Sequence, residues 1–338
     1  MPEINAGTRQ FLKQAGWSTC KITPLAGDAS KRRYYRLSEG PLPWRKAILM
    51  DAGQLPNTVA MAFAALSNWL RAHGFSAPAI IFADAENGRL VVEDLGDDLF
   101  SALCERQPGL QLELYSSATA ALHQLQQQTP PQGLLHDTVL PDQSAAHLAS
   151  QAQIFYEYYA AEPANSERES EFRDQLATAL NALNQYVRVV VLRDFHAENL
   201  VWLPNRKGVA RVGLLDFQDA LIGHPAYDLV SLLQDARRDV SGEFEAQILA
   251  TYPTNSASRS QFLADYAVLG VQRQARILGI FAQLAKQQGK HQYLAYVPRV
   301  WAYLRKDLQH PALSGLRRYF QNNFPEPSRD TLWAKFSQ

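Results

Sequence analysis

The sequence predicts an α+β protein in two lobes: a small antiparallel-sheet N-terminal lobe, residues 1–95, and a larger helical C-terminal lobe, residues 96–338. Three observations predict this. Short apolar-alternating runs fill the N-terminal third, helical periodicity takes over after Gly96, and two short apolar runs that each lead into an aspartate interrupt the helical part. In order, strands are expected at Cys20 to Leu25, Arg33 to Leu37 and Lys46 to Met50, the last two split by Gly40-Pro41-Leu42-Pro43. Asn57 can cap a helix that reaches Gly74, with Val59, Phe63, Leu66 and Leu70 on one face. Strands at Ala79 to Phe82 and Arg89 to Val92 flank Asn87-Gly88, a hairpin signal. Helices follow at Leu110 to Gln128, His147 to Tyr159 and Glu171 to Tyr186. Val189 to Leu192, Leu200 to Leu203 and Val212 to Leu215 read as strands. Tyr227 to Gln234, Arg259 to Gln287 and Gln292 to Leu308 read as helices.

Composition bounds the class. The 338 residues are 46% hydrophobic and 20% charged, with 33 basic and 33 acidic side chains, as in an ordinary globular protein of two lobes. Neutral net charge and the lack of a Lys/Arg run argue against a nucleic-acid partner. Cys20 and Cys104 have no metal or redox spacing. Met1 to Gln14 carries no apolar signal core, and no run approaches a membrane span, so a cytoplasmic protein with no membrane partner is expected.

The chemistry concentrates between Val189 and Asp219. Asn199 follows Asp194 by five positions, the D-x-x-x-x-N spacing of a kinase catalytic loop. An apolar strand delivers the aspartate, and the loop curls the asparagine back beside it. Such an aspartate accepts the acceptor's hydroxyl proton, and the asparagine oxygen holds Mg²⁺. Seventeen residues past Asn199, a second apolar run ends at Asp216, a carboxylate suited to a metal bridging two phosphates. One such Asp/Asn pair arises by chance about once in a chain this long, so the combination carries the reading. The turn Gly27-Asp28-Ala29-Ser30 lies between two strands, where a kinase places its phosphate-covering loop, so Gly27, Asp28 and Ser30 are candidate nucleotide contacts.

The segment resembles the aminoglycoside/choline phosphotransferase family, whose loop reads His-Gly-Asp-x-His-x-x-Asn and whose metal strand ends in Ile-Asp-Phe/Trp. Asp194, His196 and Asn199 match the loop, and Leu214 to Phe217 match the strand. Gly223, Pro225 and Asp228 match a following Gly-x-Pro-x-x-Asp. Leu192 and Arg193 depart from the loop's first His and its Gly. The stretches from Gly27 to Arg36, Ala47 to Asp51, Asp216 to Ala220 and Tyr227 to Asp235, with Gln272-Arg273, resemble one branch, the amino-sugar kinases of bacterial cell-wall recycling that act on the anomeric hydroxyl.

The resemblance implies a protein-kinase-like fold with ATP and Mg²⁺ as cofactors. Residues 1–95 become the nucleotide lobe and 96–338 the catalytic and substrate lobe. A small amino sugar would be the acceptor, with no obligate protein partner. In it Asp194 is catalytic, and Asn199 and Asp216 hold the metal. Asp228 supports the loop, while Glu93 to Leu95 fall at the inter-lobe hinge, where main-chain groups bond adenine. His196, Asp219 and Arg273 are candidate acceptor contacts, the arginine for a lactyl carboxylate; packing roles for these three stay open. Most kinases carry a strand lysine paired to a helix glutamate. Here Met50 stands at the strand position and Asn57 to His73 contains no Glu, so Lys31, Arg32 or Arg33 is expected to supply the positive charge. The aromatic run Phe155 to Tyr159 is expected in a helix core. Two other readings stay open: a kinase of another hydroxylated acceptor, of aminoglycoside or choline type, and a nucleotide-binding pseudokinase scaffold, which the missing Lys–Glu pair motivates.

Overall fold

A computed structural model describes residues 4–25, 32–53, 55–133, 140–160, 166–183, 188–254 and 259–336. Helix α1 (Ala6–Gln14) leads into strands β1 (Lys21–Pro24), β2 (Arg33–Ser38) and β3 (Lys46–Asp51). Then come α2 (Thr58–Ala72), β4 (Ile80–Asp84), β5 (Arg89–Glu93), α3 (Phe100–Arg106) and α4 (Gln111–Leu125). Next are α5 (Ala145–Ala152), α6 (Glu167–Asn181), β6 (Val189–Val191), β7 (Leu200–Trp202), β8 (Val212–Leu214) and β9 (Leu221–Gly223). Helices α7 (Ala226–Leu233), α8 (Gly242–Thr251), α9 (Arg259–Gln288), α10 (Val297–Asp307), α11 (Ser314–Asn323) and α12 (Arg329–Phe336) complete the described chain.

By compactness the chain divides into residues 1–140 with 192–220, and residues 141–191 with 221–338. The lobes expected from the sequence, 1–95 and 96–338, are a proposal about architecture; these units cut the chain elsewhere.

The first unit is built on a five-stranded antiparallel sheet in the order β1-β2-β3-β5-β4. Register decides its faces. Tyr35 lies opposite Leu49, Leu37 opposite Ala47 and Leu49 opposite Val91, so these buried side chains share one face. Phe11 and Leu12 of α1, with Trp17, pack against it. Each fully buried side chain of this size contributes roughly 1.5–3 kcal/mol. The N-cap of α1 is Asn5, whose Oδ1 accepts from Thr8 N at 2.8 Å. Thr8 Oγ1 in turn donates to Asp51 Oδ2 at 2.7 Å, tying helix to sheet.

One local expectation changes, and the expected β4–β5 hairpin forms. Asn57 precedes α2 but makes no side-chain cap. The β4–β5 connection is a 3₁₀ turn, Ala85–Asn87, closed by Gly88 at φ +71°, and is wider than a two-residue hairpin. A Cβ on Gly88 would also come within 3.0 Å of the Ala52 carbonyl carbon, so glycine is required there on both counts. The same unit holds the hairpin β7–β8, with Leu200 opposite Leu214. A 3₁₀ turn at Gly208–Arg211 precedes β8.

The second unit centres on α9, whose 30 residues are mostly buried. The expected helix over His147 to Tyr159 is broken instead: α5 ends at Ala152 and Phe155–Ala160 form a π-helical turn. Phe155, Tyr156 and Tyr159 are buried, and the Phe155 ring lies within 5.6 Å of Phe172, Phe320 and Phe324, so the aromatic run is core. Gln292 to Leu308 likewise splits into a 3₁₀ segment, His291–Tyr296, and α10. Strands β6 and β9 pair antiparallel. Beyond β9, His224 Nδ1 accepts from Ala226 N at 3.0 Å, which puts the ring proton on Nε2, 3.2 Å from Asp265 Oδ2. Burial holds this imidazole below its ordinary value against the opposing pull of Asp265, so it is neutral. No described helix is long and apolar enough to cross a membrane.

Candidate active site

Asp194 and Asn199 stand at the entrance to β7, and Asp216 follows β8. The ladder explains their convergence. Leu200 pairs with Leu214, and one step further Leu215 N donates to Asn199 O at 2.9 Å, so Asp216 leaves the same hairpin end at which Asn199 enters. Asn199 Nδ2 donates to the Asp194 carbonyl at 2.9 Å, and Asn199 N donates to His196 O at 2.9 Å. The five-residue spacing is therefore the span of one loop that the asparagine amide closes on itself. With its nitrogen committed to the loop, the amide's Oδ1 is the atom for a cation.

Backbone strain marks the same place. Among described non-glycine residues only Glu39, Arg193 and Asp216 have positive φ. Arg193 sits at φ +72° under an i to i+2 bond, Asp194 N to Leu192 O at 2.9 Å, a γ-turn that L-residues adopt only at a cost. It occupies the position of the family motif's glycine, the one residue without that cost. Asp216, at φ +55°, is turned out of its strand. The next residue, Phe217, is fully buried and stacks on Phe63 of α2 at 4.8 Å, fixing the segment from behind.

The charges are arranged around Asp216. Its Oδ1 receives Arg32 Nη2 at 2.9 Å and Gln218 Nε2 at 3.0 Å. Gln218 Nε2 also reaches Asp219 Oδ2 at 3.0 Å, so one buried amide links two carboxylates. Tyr34 is on this side too. Burial pushes its phenol up to about 12, with Arg32 opposing and Asp216 and Asp219 adding to the rise. Tyr34 lies directly opposite Met50, and Arg32, just ahead of β2, is close enough to Tyr34 to oppose that rise. Arg33 is exposed on the other face, opposite Asp51, and is not brought to this cluster.

The remaining candidates distribute as follows. Gly27, Asp28 and Ser30, with Lys31, lie outside the described residues. Glu93 N donates to Ala79 O at 2.8 Å, while its carboxylate takes Arg206 Nη2 at 2.6 Å and Ala79 N at 3.1 Å, so the side chain fastens the end of β5. Leu95 is nearly buried. His196 is buried, its Nε2 3.4 Å from Asn199 Nδ2, a loop-packing position. Asp219 is exposed. Asp228 and Arg273 belong to the second unit, both buried, and Arg273 Nη2 donates to Ser231 Oγ at 2.8 Å.

Sequence reasoning missed the Arg36 fork. Arg36 Nε meets Asp94 Oδ2 at 2.8 Å and its two terminal nitrogens meet Asp97 at 2.9 and 2.7 Å, which ties β2 to the chain leaving β5. Arg36 shares the Tyr34 side of β2, so period-two reading of that strand was the one available signal.

The donors present fit a hard divalent cation: a carboxylate, Asp216, and an amide oxygen, Asn199. Among the described residues no three His, Cys, Asp or Glu side chains gather into an all-protein metal cage. Mg²⁺ completed by phosphate oxygens and water needs none.

Comparison with known proteins shows what the chain is similar to. Residues 21–262 match the model of the phosphotransferase enzyme family. The N-acetylmuramate/N-acetylglucosamine kinase of Caulobacter vibrioides is 36% identical, over 97% of this chain and 98% of its own. The protein of the same name from Pseudomonas aeruginosa is 31% identical, over 86% of this chain and 85% of its own. Among solved structures, a choline/ethanolamine kinase family protein from Mesorhizobium loti superposes with a TM-score of 0.61 at 16% identity, covering 94% of this chain and 98% of that one, and so shares the kinase-like fold.

Proposed function

The chain belongs to the phosphotransferase enzyme family, and on that premise we propose that it transfers the γ-phosphoryl group of ATP, with Mg²⁺, to the anomeric C1 hydroxyl of N-acetylmuramate or N-acetylglucosamine. The observation that carries the reading is the closed loop in which Asn199 bonds the Asp194 carbonyl while the β7–β8 ladder brings Asp216 to the same end. The sugar class rests on the names of the relatives.

In this reading Asp194 orients the acceptor hydroxyl and takes its proton as the sugar oxygen bonds to the γ-phosphorus and the bond to the β-phosphate oxygen breaks, releasing ADP. Asn199 Oδ1 and Asp216 hold the metal, which offsets charge on the phosphates. Arg32 provides the cation that Met50 cannot, directed at the phosphates from the neighbouring strand. The kinase names of the relatives favour turnover over the scaffold reading, which the missing lysine had motivated. His196 and Asp219 are proposed acceptor-side neighbours of Asp194. Arg273 is proposed as a contact for an acceptor carboxylate, and Asp228 as a support of the loop. The strained turn at Arg193 serves positioning, because phosphoryl transfer asks for alignment and charge stabilisation more than covalent chemistry.

The test is purified protein with Mg·ATP and a panel of amino sugars, aminoglycosides and choline, read by phosphorus NMR. A new phosphate on C1 of an amino sugar is expected. Phosphate on C6, or turnover only with a cationic acceptor, rejects the proposal, and near-normal turnover by Asp194→Asn rejects the base.

A further inference from the structure

We propose that Arg32 gates the metal position: its guanidinium holds the Asp216 carboxylate until phosphate draws it away, so a divalent cation enters together with nucleotide and not before it. The inference rests on the reading that Asp216 and Asn199 hold Mg²⁺.

Four observations lead here. Arg32 is 10% exposed and its Nη2 is 2.9 Å from Asp216 Oδ1, while Asp216 is 34% exposed and reachable from solvent. That same oxygen accepts from Gln218, so the two donors fix the carboxylate's orientation. Arg32 stands immediately before β2, two residues ahead of Tyr34, which lies opposite Met50 where a strand lysine would project, and α2 offers no glutamate to hold an arginine aside. Arg33 points to the opposite face.

The consequence is electrostatic. A cation arriving alone at Asp216 meets a guanidinium at hydrogen-bond distance from the same oxygen. A guanidinium does not shed its proton, so the conflict ends only if Arg32 moves. Phosphate is the partner that can take it, since a guanidinium bonds phosphate oxygens with charge-assisted hydrogen bonds. Nucleotide thus supplies the replacement partner for Arg32 and the remaining ligands for the metal in one event. Metal and nucleotide affinities become coupled, and by linkage the coupling is reciprocal.

The test is binding, in the full chain, with Mn²⁺ followed by electron paramagnetic resonance, first without nucleotide and then with a non-hydrolysable ATP analogue. Wild type is expected to bind Mn²⁺ weakly alone and at least about tenfold more tightly with the analogue, the scale of one nearby like charge. Arg32→Gln is expected to bind Mn²⁺ alone about tenfold more tightly than wild type and the metal-free analogue about tenfold more weakly. Arg32→Lys, which keeps the charge, is expected to stay near wild type and guards against a folding defect. Asp216→Asn in the Arg32→Gln background is expected to abolish the gain. Equal nucleotide-free Mn²⁺ affinity in wild type and Arg32→Gln overturns the gate, as does a gain that survives Asp216→Asn. Sugar phosphorylation by wild type without any metal shift sinks the gate alone. A metal shift in a protein that phosphorylates no sugar sinks the proposed reaction instead.

Discussion

Asn199 does two jobs through two atoms, and substitutions can separate them. Its Nδ2 donates at 2.9 Å to the Asp194 carbonyl, and its Oδ1 is the proposed metal ligand. Asn199→Ala removes both, whereas Asn199→Asp keeps an oxygen at the metal and loses the donor, setting a carboxylate against a carbonyl oxygen. The hydrogen bond is worth about 1 kcal/mol in stability. The loop it closes begins right after Arg193, which sits at φ +72°, a conformation that costs on the order of 1–3 kcal/mol. With the bond gone, the turn is free to relax and Asp194 moves with it. A displacement near 1 Å at a reacting group costs about a hundredfold in rate, equivalent to roughly 2.7 kcal/mol. Asn199→Asp is therefore expected to lose about 1 kcal/mol of stability in urea titration and to keep Mn²⁺ binding in the presence of nucleotide. Its kcat is expected to fall about a hundredfold. Asn199→Ala is expected to lose the metal affinity as well. A kcat for Asn199→Asp within about twofold of wild type would refute the argument, because the amide donor would then have no part in placing Asp194.

Three further outcomes follow from the packing. Burial raises the Asp307 carboxyl well above its usual 3.8, with Glu245 adding and Lys306 and Gln234 opposing. Its neutral form is the one the fold prefers, so stability is greatest below the ordinary carboxylate value and declines as pH rises toward the folded one. Asp307→Asn can still accept from Gln234 Nε2, now at 3.0 Å from Asp307 Oδ1, and its stability relative to wild type is expected to improve steadily as thermal melts move from pH 4 to 8; a constant difference across that range rejects the assignment. A Cβ on Gly279 would lie 2.5 Å from the Ile154 carbonyl atoms, backbone that cannot step aside, so Gly279→Ala is expected to cost about 1–3 kcal/mol in urea despite its better helix propensity, and a stabilised variant contradicts the close approach. Asp97 is 79% exposed and Asp94 only 7%, so Asp97→Ala is expected to change stability by less than about 0.5 kcal/mol, whereas Arg36→Ala, which leaves the sheltered Asp94 with Gly96 N but no cation, costs roughly 1–2 kcal/mol by the same titration.

The strand and helix order of residues 20–93 was legible in the sequence, as was the spacing that singles out Asp194, Asn199 and Asp216 for the proposed reacting centre. Those signals are local: alternation in β2 and β3, an apolar run before Asp194, another before Asp216, and a fixed five-residue offset to Asn199. Each is written in neighbouring residues, because a strand exposes its period and a loop of fixed span fixes a spacing. The π-helical turn at Phe155–Ala160 and the split before α10 escaped, since an aromatic-rich run satisfies helical periodicity and only packing, here Phe155 against Phe172, Phe320 and Phe324, selects the wider turn. The contact that separates Arg32 from Arg33 lay beyond such local signals. Two adjacent arginines are equivalent in a sequence, but in the fold Arg32, just ahead of β2, meets Asp216, while Arg33, the first residue of β2, lies opposite Asp51 and is exposed. Asp216 comes from a hairpin far along the chain, so which arginine meets it is set by how the chain packs and is not written in neighbouring residues.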